Sequence, residues 1–207
     1  MTTNDVFWKG TEGERFEFFL NMTDEEAQAF FDQYLAARDE RLLLLTQRFV
    51  RTGGGSESDL DFSPESLETI WEWAMKHLHK RDFTPSELEL LMAVPEKRAR
   101  DEQLRNKPLS EDTLILLNDI AYYFGEVVVR NLKGVHWKLC KARLRRYVDE
   151  NQPVLGGFSA PGFELGINPR SAVRGAAWDW CAGKGADDAL FRDYERCYNS
   201  LGSELPP

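Results

Sequence analysis

An excess of acid over base argues against general nucleic-acid binding, because neutralising phosphates takes surplus Lys and Arg: the 207-residue chain has 35 acidic and 26 basic residues and a net charge of −9. At 42% hydrophobic and 29% charged residues the composition is that of a soluble globular domain able to bury a real core, which excludes wholesale disorder. The three cysteines, Cys140, Cys181 and Cys197, form no C-x-x-C, which disfavours a zinc knuckle or a redox pair and suits reduced thiols in a cytoplasm.

Residues 1–13 read as an irregular lead-in. Their opening, MTTNDVFWKG, lacks the basic-then-apolar order of a signal peptide. Phe16, Phe18 and Phe19 suggest a helical turn or two. Thr23-Asp24-Glu25-Glu26 is a capping box, and the pattern predicts a helix from there to about Arg51. Its expected inner face is Ala27, Phe31, Tyr34, Leu35, Leu42, Leu45 and Phe49. Arg38 and Asp39 interrupt that face, so a bend or a change of partner is expected there. The longest apolar run, Leu42 to Leu45, is far short of the roughly 20 residues of a membrane span. Glycines 53–55 end the helix, and residues 53–62 read as a flexible loop.

Ser63-Pro64 reads as a cap and first helical residue, followed by Leu67, Ile70, Trp71, Ala74 and Leu78 on one face. Thr84-Pro85-Ser86-Glu87 repeats the start signal for a short helix carrying Leu88 and Leu91. Residues 96–108 are highly charged and read as a solvated helix or a surface loop. Ser110 caps a long helix in which Leu114, Leu117, Ala121, Phe124 and Val128 share a stripe with Leu116, Ile120, Tyr123 and Val127 beside it; so broad a stripe predicts packing on more than one side. Glu126 and Arg130 are spaced to pair along it. Gly125 weakens this helix by about 1 kcal/mol relative to Ala, which points to close approach of a neighbouring backbone.

After Gly134 the pattern turns strand-like: Val135–Leu139, Ala142–Val148, Pro153–Phe158 and Phe163–Leu165 predict two to four short antiparallel strands. Asn168-Pro169 opens a helix to about Ala182, which Gly183 and Gly185 end. A last helix runs from about Asp187 to Leu201, and 202–207 should fray. The reading is therefore a single α+β domain over 1–207, predominantly helical, with a small sheet of two to four strands in residues 135–166.

No constellation of reactive side chains stands out. Gly157-Phe158-Ser159-Ala160-Pro161 has proline where a nucleophile elbow needs glycine, so Ser159 reads as a loop serine. Cys140 reads as a buried structural thiol. His77 and His79 lie about 200° apart around a helix and cannot chelate from one face. The acidic pairs read as solvated charge, and the glycines at 53–55 end a helix where a phosphate cradle would begin one. No catalytic residue, metal ligand or cofactor is expected.

One asymmetry remains. Arg130, Lys133, Lys138, Lys141, Arg143, Arg145 and Arg146 form a basic stripe interleaved with Trp137 and Tyr147. Read functionally, Arg130, Lys138, Lys141, Arg143, Arg145 and Arg146 could bind an acidic partner, an RNA or a phosphate-bearing ligand, or serve with Glu126 in an enzyme site. The competing and favoured reading is that they face the chain's own acidic helices. Trp73 lies off its helix's apolar stripe and reads either as an exposed anchor for a partner or as a rim residue over the core, the latter favoured.

The segments Tyr122–Asn131, Gly134, His136-Trp137 and Gln152–Phe158, with Ser63-Pro64-Glu65-Ser66-Leu67, resemble small bacterial proteins grouped as domains of unknown function; the likeness covers about residues 60–180. The resemblance implies an α+β fold and no activity. Some such proteins look like immunity or accessory components of bacterial toxin systems, which implies a cytoplasmic, non-enzymatic protein whose partner is another protein; a basic partner would suit the acidic N-terminal half. The alternatives are an enzyme, or an RNA or phosphate-ligand binder, using residues 130–146.

Overall fold

The computed structural model describes residues 12–105, 107–142 and 146–201. The fold is α+β and predominantly helical. In chain order come α1 (Glu12–Leu20), α2 (Asp24–Arg51), a 3-10 turn (Glu57–Asp59), α3 (Ser66–Met75), α4 (Pro85–Met92), α5 (Lys97–Arg105), α6 (Glu111–Asn131), β1 (His136–Leu139), β2 (Pro153–Gly156), α7 (Pro169–Cys181) and α8 (Ala189–Asn199).

The start signals act as expected. Thr23 and Glu26 form a reciprocal capping box on α2, Thr84 and Glu87 do the same on α4, Ser110 accepts from Thr113 N on α6, and Asn168 caps α7 with Pro169 at its first turn. Ser63 accepts from Ser66 N at 3.3 Å, but the turn through Pro64 closes with i→i+3 bonds, so regular helix begins only at Ser66.

Helix α6 is the axis of the core. Every residue from Leu116 to Val128 is buried, and α6 contacts α2, α3, β1, α7 and α8. A helix enclosed all round has no polar face, so its polar atoms need internal partners. Tyr122 donates to the Tyr34 carbonyl at 2.9 Å while its ring stacks on Tyr34, centroids 4.2 Å apart. Tyr123 OH accepts from Phe62 N at 3.1 Å and lies 2.6 Å from Ser66 Oγ.

Several local expectations are corrected. On α2 the aromatic facing inward is Phe30, not Phe31; it falls in line with Ala27 and Tyr34 and meets Phe19 edge-on at 5.1 Å. Helix α4 buries none of its residues, and Leu88, Leu90 and Met92 lie exposed. Its start is held instead by Glu87, whose two carboxylate oxygens accept from Arg81 at 2.7 and 2.8 Å; Arg81 holds that carboxyl down at about 2. Trp71 is core and donates to the Ala186 carbonyl at 3.2 Å, whereas Trp180 is 37% exposed.

The sheet has two antiparallel strands, with Trp137 opposite Leu155 and Leu139 opposite Pro153; Ile167 adds an isolated bridge to Leu155. The stretch 142–148 is no strand in its described residues. The chain is bent there by Glu150, which accepts from Ala142 N at 2.9 Å, and by Asn151, which adopts a left-handed φ of 62° and donates to the Phe19 carbonyl at 2.7 Å. Phe163–Leu165 is a turn closed by Gly166 N to the Phe163 carbonyl at 2.9 Å.

Gly125 has a different reason from the expected one. Its neighbour is a side chain: a Cβ there would run into the six-membered ring of Trp137. The indole lies across α6, and its Nε1 donates to Glu126 at 3.0 Å. Alanine would add roughly 1 kcal/mol of helix propensity but must displace a half-buried ring. Gly125→Ala is therefore expected to lower stability by about 1–3 kcal/mol net, read as the denaturant midpoint; a rise in midpoint would show that the indole can yield.

Candidate functional site

Of the basic stripe, Arg130, Lys138, Lys141 and Arg146 each engage a neighbour of their own. Lys141 Nζ sits 2.6 Å from Asp24 Oδ1 and 2.6 Å from Asn151 Oδ1, and Arg146 reaches Glu17 at 2.8 Å with its guanidinium 5.0 Å over the Phe16 ring. Arg130 stacks 3.6 Å over Phe62 and lies 3.4 Å from Glu126. Lys138 donates to the Glu164 carbonyl at 3.1 Å. Arg143 and Arg145 lie outside the described residues. Lys141 and Arg146 tie the segment after β1 to the acidic start of α2 and to α1. Trp73 is corrected outright as an exposed anchor: it is 3% exposed, packs edge-on to Phe49 at 5.3 Å and donates to Thr52 Oγ1 at 2.9 Å. Its position off the α3 stripe is explained by α2, which covers that side.

Sequence reasoning paired Glu126 with Arg130, as the structure does, but missed the buried Asp119 and the arginines of α2 that reach both carboxylates. Asp119 Oδ1 accepts from Arg41 Nε at 2.7 Å and from a terminal nitrogen of the same guanidinium at 2.5 Å. Two turns further along the same face, Glu126 receives Arg38 at 3.4 Å, Arg130 at 3.4 Å and the Trp137 N–H. The signal was available: Asp119 and Glu126 stand two turns apart on an otherwise apolar helix, and Arg38 and Arg41 stand one turn apart on the interrupted face of α2. Burial outweighs the arginine beside it and pushes the Asp119 carboxyl up to about 6.

Burial pushes the Cys140 thiol up to about 11 and the Cys197 thiol up to about 12, away from thiolate chemistry. His136 Nδ1 lies 3.0 Å from the Gly134 carbonyl and His77 Nδ1 2.9 Å from the Trp73 carbonyl. Among the described residues no three His, Cys, Asp or Glu side chains gather as a metal site, and no helix is long and apolar enough to cross a membrane.

Two surfaces remain as candidates. One is the outer face of α2. Four consecutive leucines cannot all face inward at 100° per residue; Leu42 and Leu45 are core, so Leu43 and Leu44 emerge 57% and 42% exposed, with Val50 at 41% two turns on. The same face upstream carries Glu25, Asp32, Asp39 and Glu40, all exposed. A single rigid helix of 28 residues, roughly 42 Å long, thus presents an acidic half and an apolar half side by side. The other is an open cleft of about 370 Å³ between α7 and α8, reached by Lys184, Arg192, Arg196, Asp179 and Asp193.

The raised Asp119 carboxyl has a measurable consequence. Because the folded state binds this proton more tightly than the unfolded chain, the group's stabilising contribution grows as pH falls through about 6 towards 4, by up to about 3 kcal/mol, and is lost again as pH rises. Denaturation midpoints are expected to rise between pH 7.5 and 5, and Asp119→Asn should flatten that rise. An equal slope in both proteins would place the titration elsewhere. Comparison with protein-family models, with curated proteins and with solved structures finds no match for this chain.

Proposed function

We propose that this chain is a non-enzymatic cytoplasmic protein that works by binding another protein, in an immunity-like or accessory role, through the outer face of α2. The observation that carries the reading is the juxtaposition on that one helix: Asp32, Asp39 and Glu40 are exposed directly before Leu43, Leu44 and Val50. Scattered exposed leucines are ordinary. Two adjacent leucines and a valine two turns on, preceded on the same face by Asp32 and Asp39 and mounted on a helix whose reverse side packs in the core, form a docking strip. The complementary partner presents basic residues beside an apolar groove, and the net charge of −9 would steer it into contact.

A reading as an enzyme or RNA binder on residues 130–146 draws less support, because Lys141 and Arg146 are already engaged by Asp24 and Glu17.

The test is affinity capture from the source organism with the wild-type chain, with Leu43→Glu/Leu44→Glu and with Asp39→Lys/Glu40→Lys. A partner of basic surface should be retained at low salt, released as salt rises, and lost with both double variants while their thermal midpoints stay near wild type. Retention unchanged in both variants, or no partner at any salt concentration, overturns the proposal.

A further inference from the structure

Gly175 distinguishes the cleft between α7 and α8. Each of the other glycines whose surroundings are described either adopts a left-handed φ or would strike a neighbour with a Cβ. Gly175 does neither. It stands in the middle of α7, where glycine is the least favoured residue after proline, and a Cβ there would meet no atom within 4 Å. The space it keeps open is the cleft itself, whose volume of about 370 Å³ lies within the range that holds a small molecule.

The walls indicate what kind of molecule. Lys184, Arg192 and Arg196 face the cleft against Asp179 and Asp193, a net positive lining on an acidic protein. Arg192 engages Asp188 through Nε at 2.9 Å, which leaves its two terminal nitrogens as a fork, and Arg196 engages Asp193 through one terminal nitrogen at 2.7 Å. Both guanidinium groups stay largely exposed, at 59% and 75%. The Lys184 ammonium has no partner among the described residues. A guanidinium fork beside an ammonium matches the paired oxygens of a carboxylate or phosphate.

We propose that the α7–α8 cleft binds a small organic anion, held by Lys184, Arg192 and Arg196, with the bare backbone at Gly175 letting the ligand's body lie close against α7. The site shares no residue with the outer face of α2, so its failure leaves the protein-binding proposal intact, and the reverse.

The experiment is an amide-resolved NMR titration of the full chain with two probes, succinate and glycerol 3-phosphate, against sodium chloride at matched ionic strength. Saturable shifts at Gly175, Lys184 and Arg192 are expected with one probe, and the probe that saturates identifies the anion as carboxylate or phosphate. Lys184→Ala and Arg192→Ala should each weaken binding about tenfold. Gly175→Ala should raise the thermal midpoint through helix propensity while weakening binding by at least about tenfold, a split that a merely structural glycine would not produce. If neither probe saturates by about 10 mM, or if Gly175→Ala binds as well as wild type, the cleft is not such a site.

Discussion

The constraint on which the rest depends is the enclosure of α6. From Leu116 to Val128 this helix has no side facing water, yet it carries Asp119 and Glu126. Two carboxylates in an apolar interior are tolerable only when their charge is answered on the spot. Arg41 answers Asp119, and Arg38, Arg130 and the Trp137 N–H answer Glu126. The Arg41–Asp119 and Arg38–Glu126 bonds tie α2 to α6 at two points along their contact. The Trp137 bond to Glu126, made across Gly125, ties β1 to the same helix.

Charge does a second job at the edge of the fold. The sheet is small and buries little by itself, since two strands of four residues supply few cross-strand contacts. What holds the segment after β1 in place is a set of long-range polar contacts: Lys141 to Asp24, Arg146 to Glu17, and Asn151 to the Phe19 carbonyl. The exposed pairs among these are individually weak. The buried Asn151 bond is the firm one, because breaking it would strand a carbonyl inside the protein. Two cations of that stripe, Lys141 and Arg146, are in three dimensions ties to the acidic helices at the start of the chain.

The two candidate surfaces follow from the same economy of space. Once α6 has claimed one side of α2, the remaining leucines of a four-leucine run can only face outward. Once α7 packs Val173 and Ala177 inward, its opposite side carries Ser171, Gly175 and Asp179 along the cleft it shares with α8. One surface is a convex strip and the other a concavity, so they suit occupants of different size: a macromolecule on α2 and a small molecule beside α7.

Much of the fold was legible in the chain because its strongest signals are local. Capping boxes at Thr23 and Thr84, the Ser110 and Asn168 caps, and the wide apolar stripe of α6 act within a few residues of themselves, so no distant partner can change their meaning. Trp73 shows the limit. Its place off the α3 stripe suggested a rim position or an exposed anchor, and it is core because α2 covers that side. The same holds for residues 142–148, whose strand-like pattern yields to bonds from Glu150 and Asn151, and for Gly125, whose reason lies on β1. For the candidate sites, Leu42–Leu45 already announced a surplus leucine face, whereas the cleft at Gly175 was invisible, since an empty space leaves no pattern in sequence. Local backbone chemistry and periodicity thus settled where elements begin, end and turn apolar. Which charge meets which, and which apolar side chain is left uncovered, was decided only when helices far apart in the chain were packed, because those energies depend on a neighbour's position and not on the residue's own type.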